Sequence, residues 1–600
     1  MNWEKSLSAG LGRVFVLALA GAICGVASFG QTAARTVGGQ DPPRAKEHAK
    51  NAPARPKLVV MLVVDQMRAD YVDKFQGQWT GGLKRLVKEG AWFREAAYPY
   101  AATETCVGHA TISTGALPAT HGMIANAWFD RETQKMVTCT ADPGAKNSGY
   151  AGISVKGGDS PARMQVPAFA DELKFQAAAG AAARAVTFSL KARASITMGG
   201  RTADAVTWFD GATGALTTSS AYKTQPFIEE YATAHPVKAD IGKTWSLSLP
   251  ESAYFYDEKA THAGPPAGWT SSFPHPLRGK GGSGEPDAEF YEQWSSSPFA
   301  DTYLTKIAET AVDALGLGKG AGTDYLGVSY SSVDYVGHEF GPRSWEIQDV
   351  LVRLDQDLAD LFAHLDKQVG RGNYVVAFSA DHGVAPIPED MAKSGQDAGW
   401  LNMADVRERV ERALESFQFA KPAVAGVAGS ELYFAAGVYD QLRADPKVLR
   451  AVVDAIQTVP GVAHVYLKEE VEDRPETESP MRRALAASYF AARSGDFFVV
   501  PQAYWPVGYS AAGKERGGGT THGTPYYYDQ RVPLLLMGWG VQTGEYYGTV
   551  TPADIAPTLA SLCGITLASR DGRVLSEALS KNGAQSKTKV PETAKASPKP

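Results

Sequence analysis

LVVMLVVD, residues 58–65, is an unbroken apolar run that ends on a carboxylate. A strand with one wet face alternates apolar and polar side chains, so a continuous run predicts a strand covered on both faces. Downstream, residues 81–89 read as a helix with Leu83, Leu86 and Val87 on one face. Further strands are predicted at 184–189, 205–209, 325–330, 374–379 and 532–537. Segments 301–315 and 345–365 read as helices; in the second, Ile347, Val350, Leu354, Leu358, Leu361 and Leu365 recur at helical spacing. This alternation predicts an α/β fold, a mostly parallel central sheet with helices on both faces. Ligands in such folds sit beyond the carboxyl ends of the strands. Asp65, Lys191, Arg193, Asp334, Asp381 and His382 all fall just after predicted strands.

The chain has 600 residues, 44% apolar and 21% charged, which is ordinary for a folded soluble protein and excludes disordered and fibrous classes. Its 59 basic and 65 acidic residues sum to −6, so no global charge points to a nucleic-acid partner. Four cysteines exclude a disulfide scaffold. Lys5 and Arg13 precede the apolar run VFVLALAGAI (14–23), and small residues follow, the layout of a secretory signal peptide over 1–30. The run is too short for a membrane span, so no stable span is expected after cleavage. Residues 31–56, rich in Ala, Pro, Arg and Lys, read as a linker, and 579–600 as a Lys/Pro-rich tail too polar to fold. After cleavage Cys106, Cys139 and Cys563 remain, enough for one disulfide whose pairing the sequence leaves open. The expected map is a catalytic α/β domain in two parts, 57–385 and 520–578, interrupted by a cap-like insertion at 386–519.

Acids and histidines gather in four separated segments: VVD(65)QM, D(334)YVGH(338), SAD(381)H(382)G and TTH(522)GTP. Asp334 and His338 lie four apart, on one side of a helix. Asp381 and His382 are adjacent, and Gly383 permits the turn that would let both serve one site. His522 lies in a glycine-rich loop. Carboxylate with imidazole and no cysteine cluster suits zinc or a related transition metal with open positions, and a set this large suits two ions. Taken singly, each segment is more often a turn, a cap or a surface pair; their combination points to a site. In TETCVGHATISTG (103–115), Thr105 stands where a helix begins, a position that favours an anion. A threonine hydroxyl becomes a nucleophile only when its pKa is lowered.

LVVDQMRADY, TETCVGHATISTG, PATHGMIANAWF, SLKAR, DYVGHEFGP, SADHG, GTTHGTP and TPADIAPTLASL, in this order, resemble the alkaline phosphatase superfamily. The likeness is strongest to the bacterial alkaline phosphatases with a threonine nucleophile, on a fold like that of the type I phosphodiesterases and nucleotide pyrophosphatases. It runs from about Leu58 to Leu567 and is weakest in 386–519. The resemblance implies two zinc ions, one held by Asp65, Thr105, Asp381 and His382 and the other by Asp334, His338 and His522. It implies Asn126, Lys191 and Arg193 as phosphate contacts, small-molecule phosphate monoesters as substrates, and a phosphothreonine intermediate. A monomeric, periplasmic or secreted enzyme is expected.

Two rival readings are separable by their residues. A sulfatase would need proline or alanine two positions after its cysteine and an arginine two further on, whereas Cys106-Val-Gly-His-Ala110 has glycine and alanine there; Cys106 is therefore expected to be a small packing residue. A phosphodiesterase would share metals and nucleophile, but Lys191 and Arg193 suit a third charged oxygen better than a second ester group.

Overall fold

The structure is a computed structural model that describes residues 55–178, 180–256, 262–280, 284–419, 421–472, 479–508 and 519–580. The signal peptide, nearly all of the linker and nearly all of the tail lie outside the described residues.

Ten strands form one sheet, in the order Gly544–Val550, Ala91–Ala96, Leu534–Gly538, Tyr374–Ser379, Leu58–Val64, Asp324–Tyr330, Ala185–Ser189, Ala205–Asp210, Ala215–Ser219 and Asn147–Gly149. The five from Tyr374–Ser379 to Ala205–Asp210 are parallel. Leu534–Gly538 and Ala215–Ser219 flank them antiparallel, so the whole sheet is mixed. All seven residues of Leu58–Val64 are buried, because the strand has sheet on both edges and helices on both faces. Leu58, Leu62 and Val64 join one core, with the Pro298–Leu315 and Trp345–Leu365 helices. Val59, Met61 and Val63 join the other, with the Ala192–Gly199 and Ile555–Cys563 helices. Each fully buried Val or Leu contributes roughly 1.5–3 kcal/mol.

Register explains why one edge of the sheet carries the polar residues. Ser189, Ser329, Val63 and Ser379 form one row across four neighbouring strands. The segments leaving those strands therefore emerge side by side, bringing Lys191, Asp334, Asp65 and Asp381 to the same edge.

Within residues 386–519 the chain builds a second, antiparallel sheet of four strands, ordered Val424–Ala428, Glu431–Phe434, Phe497–Pro501 and Val462–Leu467. It has a core of its own in which Val406, Val410, Val452 and Ile456 come from the Met403–Ala413 and Pro446–Gln457 helices. A short hairpin, Ala127–Asp130 with Lys135–Thr138, packs Phe129 against Tyr433 of this sheet at 5.7 Å between ring centres. No helix among the described residues is long and apolar enough to cross a membrane.

Cys106 corrects the sequence reading. It is not simply a small packing residue: its sulfur is bonded to Cys139, while Cys563 is free and buried. The pairing spans 33 residues and depends on the hairpin folding back onto the Thr105–Thr114 helix, which no local pattern encodes.

Candidate active site

Thr105 is the first residue of the Thr105–Thr114 helix, and Glu104, in extended conformation, precedes it. The helix lies hard against the turn after Tyr374–Ser379: a Cβ at Gly108 would stand 2.0 Å from the Asp381 carbonyl oxygen. That approach puts Thr105 Oγ1 3.5 Å from His382 Nε2, and Arg193 Nη2 donates to the same oxygen at 3.3 Å.

Two clusters of ligand-type residues lie at this edge, Asp65 with Asp381 and His382, which includes the His382 beside the hydroxyl, and Asp334 with His338 and His522. The three histidines share one arrangement. Their Nδ1 atoms meet carbonyl oxygens, His338 that of Thr520 at 2.9 Å, His382 that of Gly383 at 2.9 Å and His522 that of Thr103 at 2.7 Å. A carbonyl only accepts, so each Nδ1 carries the hydrogen and, in the neutral ring, Nε2 keeps its lone pair. The Nε2 atoms face carboxylates: His382 lies 3.3 Å from Asp381 Oδ2 and 3.6 Å from Asp65 Oδ1, and His338 and His522 lie 3.3 and 3.8 Å from Asp334 Oδ1. Burial holds His522 well below the usual histidine range and lowers His382 too, which keeps both rings neutral. Lone pairs aimed at anions repel unless a cation lies between them, so this donor set fits divalent metal ions. Asp65 Oδ1, fully buried and without a hydrogen-bond donor, fits in the same way.

Lys191 links the two clusters. Its ammonium lies 2.7 Å from Asp65 Oδ2, bonds Asp334 Oδ2, and sits 5.1 Å from the centre of the Tyr335 ring. Burial would lower its pKa, but Asp334 and Asp65 override burial and raise it, so it stays charged. Burial and the charges of Asp334 and Asp381 push Asp65 well above the usual carboxylate range. Burial acts the same way on Asp334, but Lys191 and then His338 outweigh it and hold Asp334 well below.

Asn126 stands at the other side of the helix start. The Cys106 N–H donates to its Oδ1 at 2.9 Å, which leaves the side-chain NH2 as the group available to a ligand. All the residues singled out in the sequence are thus gathered around the N-terminus of one helix.

Two residues the sequence reading passed over complete the arrangement. Gln66 takes a left-handed backbone, φ 69°, which few residues other than glycine adopt. In that conformation its N–H donates to Asp381 Oδ1 at 3.0 Å and its Nε2 to Asp334 Oδ1 at 2.7 Å, one acid from each cluster. His109, four residues after Thr105, lies 3.2 Å from Asp381 Oδ2 through Nδ1, and its Nε2 meets Ser329 Oγ at 2.8 Å. Its spacing within TCVGHA was the one available signal.

Residues 59–525 match the family described as type I phosphodiesterase / nucleotide pyrophosphatase. The chain belongs to this family. Alkaline phosphatases are similar to it along most of their length. The chain is 32% identical to the alkaline phosphatase PhoV of Synechococcus elongatus over 88% of its own length and 93% of the relative. It is 33% identical to the alkaline phosphatase PafA of Elizabethkingia meningoseptica over 86% of its length and 93% of the relative. The crystal structure of wild-type PafA superposes with a TM-score of 0.78 at 32% identity, covering 88% of this chain and all of that one. The chain thus has the alkaline phosphatase-like α/β fold, with its two acid–histidine clusters at the carboxyl edge of its parallel strands.

Proposed function

We propose that this chain is an exported, metal-dependent alkaline phosphatase that hydrolyses small phosphate monoesters through a phosphothreonine intermediate at a two-zinc site. The observation that carries this reading is Thr105 Oγ1 set against His382 of one of the two acid–histidine clusters, with Arg193 donating to it. The chain is a phosphoric monoester hydrolase. Asp65, Thr105, Asp381 and His382 would hold one zinc ion, and Asp334, His338 and His522 the other. When bound, the two ions supply positive charge that acidifies the hydroxyl and stabilises charge on the departing oxygen.

The chain's own groups do the rest. Thr105 Oγ1, having given up its proton to solvent, forms a bond to phosphorus as the ester P–O bond breaks, and the departing oxygen leaves on the opposite side and takes a proton from water to become the alcohol. Water then replaces Thr105 and releases phosphate. Arg193, donating to Thr105 Oγ1, favours its anionic form and can grip two phosphoryl oxygens as a fork. Lys191 and the Asn126 amide supply the remaining donors to the non-bridging oxygens, placed before reaction begins.

Export rests on residues 1–30 as a signal peptide, and the Cys106–Cys139 disulfide supports an oxidising compartment, periplasmic or extracellular. We read the enzyme as a monomer without a nucleic-acid partner. The second reading, a phosphodiesterase or nucleotide pyrophosphatase, draws on the description of the matching family. One paired assay separates the two: Arg193→Ala, checked for metal content, loses far more activity on a monoester than on a diester. Equal losses would move the assignment to the phosphodiesterase.

A further inference from the structure

Asn126 enters the short hairpin and Cys139 follows its exit. Ala127 pairs with Thr138, so Asn126 and Cys139 face each other across the open end, and the Cys139 N–H donates to the Asn126 carbonyl at 2.9 Å. The other grips on Asn126 come from the start of the nucleophile helix: Asn126 N–H donates to Glu104 Oε2 at 2.6 Å, and Cys106 N–H donates to Asn126 Oδ1 at 2.9 Å. One of those donors belongs to each half of the disulfide. The bond between Cys106 and Cys139 therefore ties the residue after Thr105 to the residue opposite Asn126.

The hairpin has a competing anchor. Arg493 stands 4.9 Å from the centre of the Trp128 ring and bonds the Gly122 carbonyl, Arg131 pairs with Asp496 at 3.1 Å, and Phe129 packs on Tyr433. Arg493, Asp496 and Tyr433 all belong to 386–519. Without a covalent link to the helix, the hairpin would follow that sheet, and small shifts between the two bodies would be felt at the Asn126 amide. A displacement of about 1 Å at a positioning group can cost as much as 100-fold in rate.

We propose that the Cys106–Cys139 disulfide is a positioning element for catalysis, holding the Asn126 amide in register with Thr105. The proposal rests on the reading of Asn126 as a phosphate contact. It differs from a role in stability alone, because a positioning disulfide acts only through Asn126. Two side chains that act through one group show non-additive losses.

The test is a cycle on the metal-loaded enzyme. Cys106→Ser/Cys139→Ser is made in the native chain and in Asn126→Ala, and kcat, KM for a small monoester, Tm and metal content are measured for each. In the native chain the serine pair lowers kcat about tenfold with little change in KM, while in Asn126→Ala it costs less than about twofold. Equal fold losses in the two backgrounds would overturn the proposal and leave the disulfide as a stabiliser. Full activity of Asn126→Ala by itself would instead overturn the reading of Asn126, and the proposal with it. If the serine pair does not fold, native and Asn126→Ala chains folded with both cysteines kept as thiols give the same comparison with the packing atoms retained.

Discussion

Arg193 Nη2 stands 3.3 Å from Thr105 Oγ1, so the group proposed to grip the substrate and the group proposed to attack it are set against each other by the fold. The contact joins the Ala192–Gly199 helix to the start of the Thr105–Thr114 helix, two elements far apart in sequence. Replacing Thr105 leaves the six acids and histidines of the two clusters in the chain.

Thr105→Ala is expected to lower monoester turnover by at least about 1,000-fold, since it removes the bond-forming oxygen, while zinc content stays near that of the native enzyme. Activity and elemental analysis on the same preparation check this. Turnover within tenfold of native would remove Thr105 from the mechanism.

The ligand assignment predicts a stepwise loss of metal. Native enzyme should carry two zinc ions per chain, and His338→Ala, which strips one of three residues from its cluster, should carry about one. Dialysis against a chelator should abolish activity and zinc should restore it. An unchanged metal count in His338→Ala would break the assignment of that cluster.

Gln66 holds an acid of each cluster, so Gln66→Ala should weaken zinc binding by about 10–100-fold, the range seen when partners behind metal ligands are lost. Because its backbone N–H also bonds Asp381, Gln66→Gly should keep part of the effect intact and bind more tightly than Gln66→Pro. Competition with a calibrated chelator measures this directly.

Two acids outside the site predict a pH effect on stability. Burial pushes Asp301 up to about 7 and Asp357 up to about 8, where Thr302 donates to Asp357 at 3.0 Å. A carboxyl raised in the folded state holds its proton there, so its contribution is intact below about pH 4 and is lost as the pH rises through about 8. Asp357→Asn, which cannot ionise, should therefore raise Tm at pH 9 by roughly 2–4 °C and change it little at pH 5. A shift of the same size at both values would show that packing, not charge, is responsible.

Much of this was legible without coordinates. The Trp345–Leu365 helix was readable to its ends because its apolar residues recur every three or four positions over many turns. Tyr374–Ser379 was readable because a fully buried strand leaves an unbroken apolar run. The Pro298–Leu315 helix begins three residues earlier than read, at a proline that suits the first helical turn. The four-stranded sheet inside 386–519 was not found: its strands are short, and the longest, Val462–Leu467, is half-exposed without a regular alternation, so neither period stands out. Gln66 escaped notice because a positive φ leaves no mark on a residue that is not glycine. The Cys106–Cys139 pairing escaped because three cysteines permit three pairings.

The amino-acid sequence by itself determined the class of fold, the identities of the acids, histidines and cations, and their placement after strands, since these depend on local pattern and residue chemistry. The tertiary structure alone decided that Ser189, Ser329, Val63 and Ser379 share a row, and hence that residues hundreds of positions apart meet at one hydroxyl. It also decided which nitrogen of each histidine faces the acids, and what holds Asn126. These depend on register and on backbone carbonyls brought from distant segments, whose positions are set only when the whole sheet closes over its two cores.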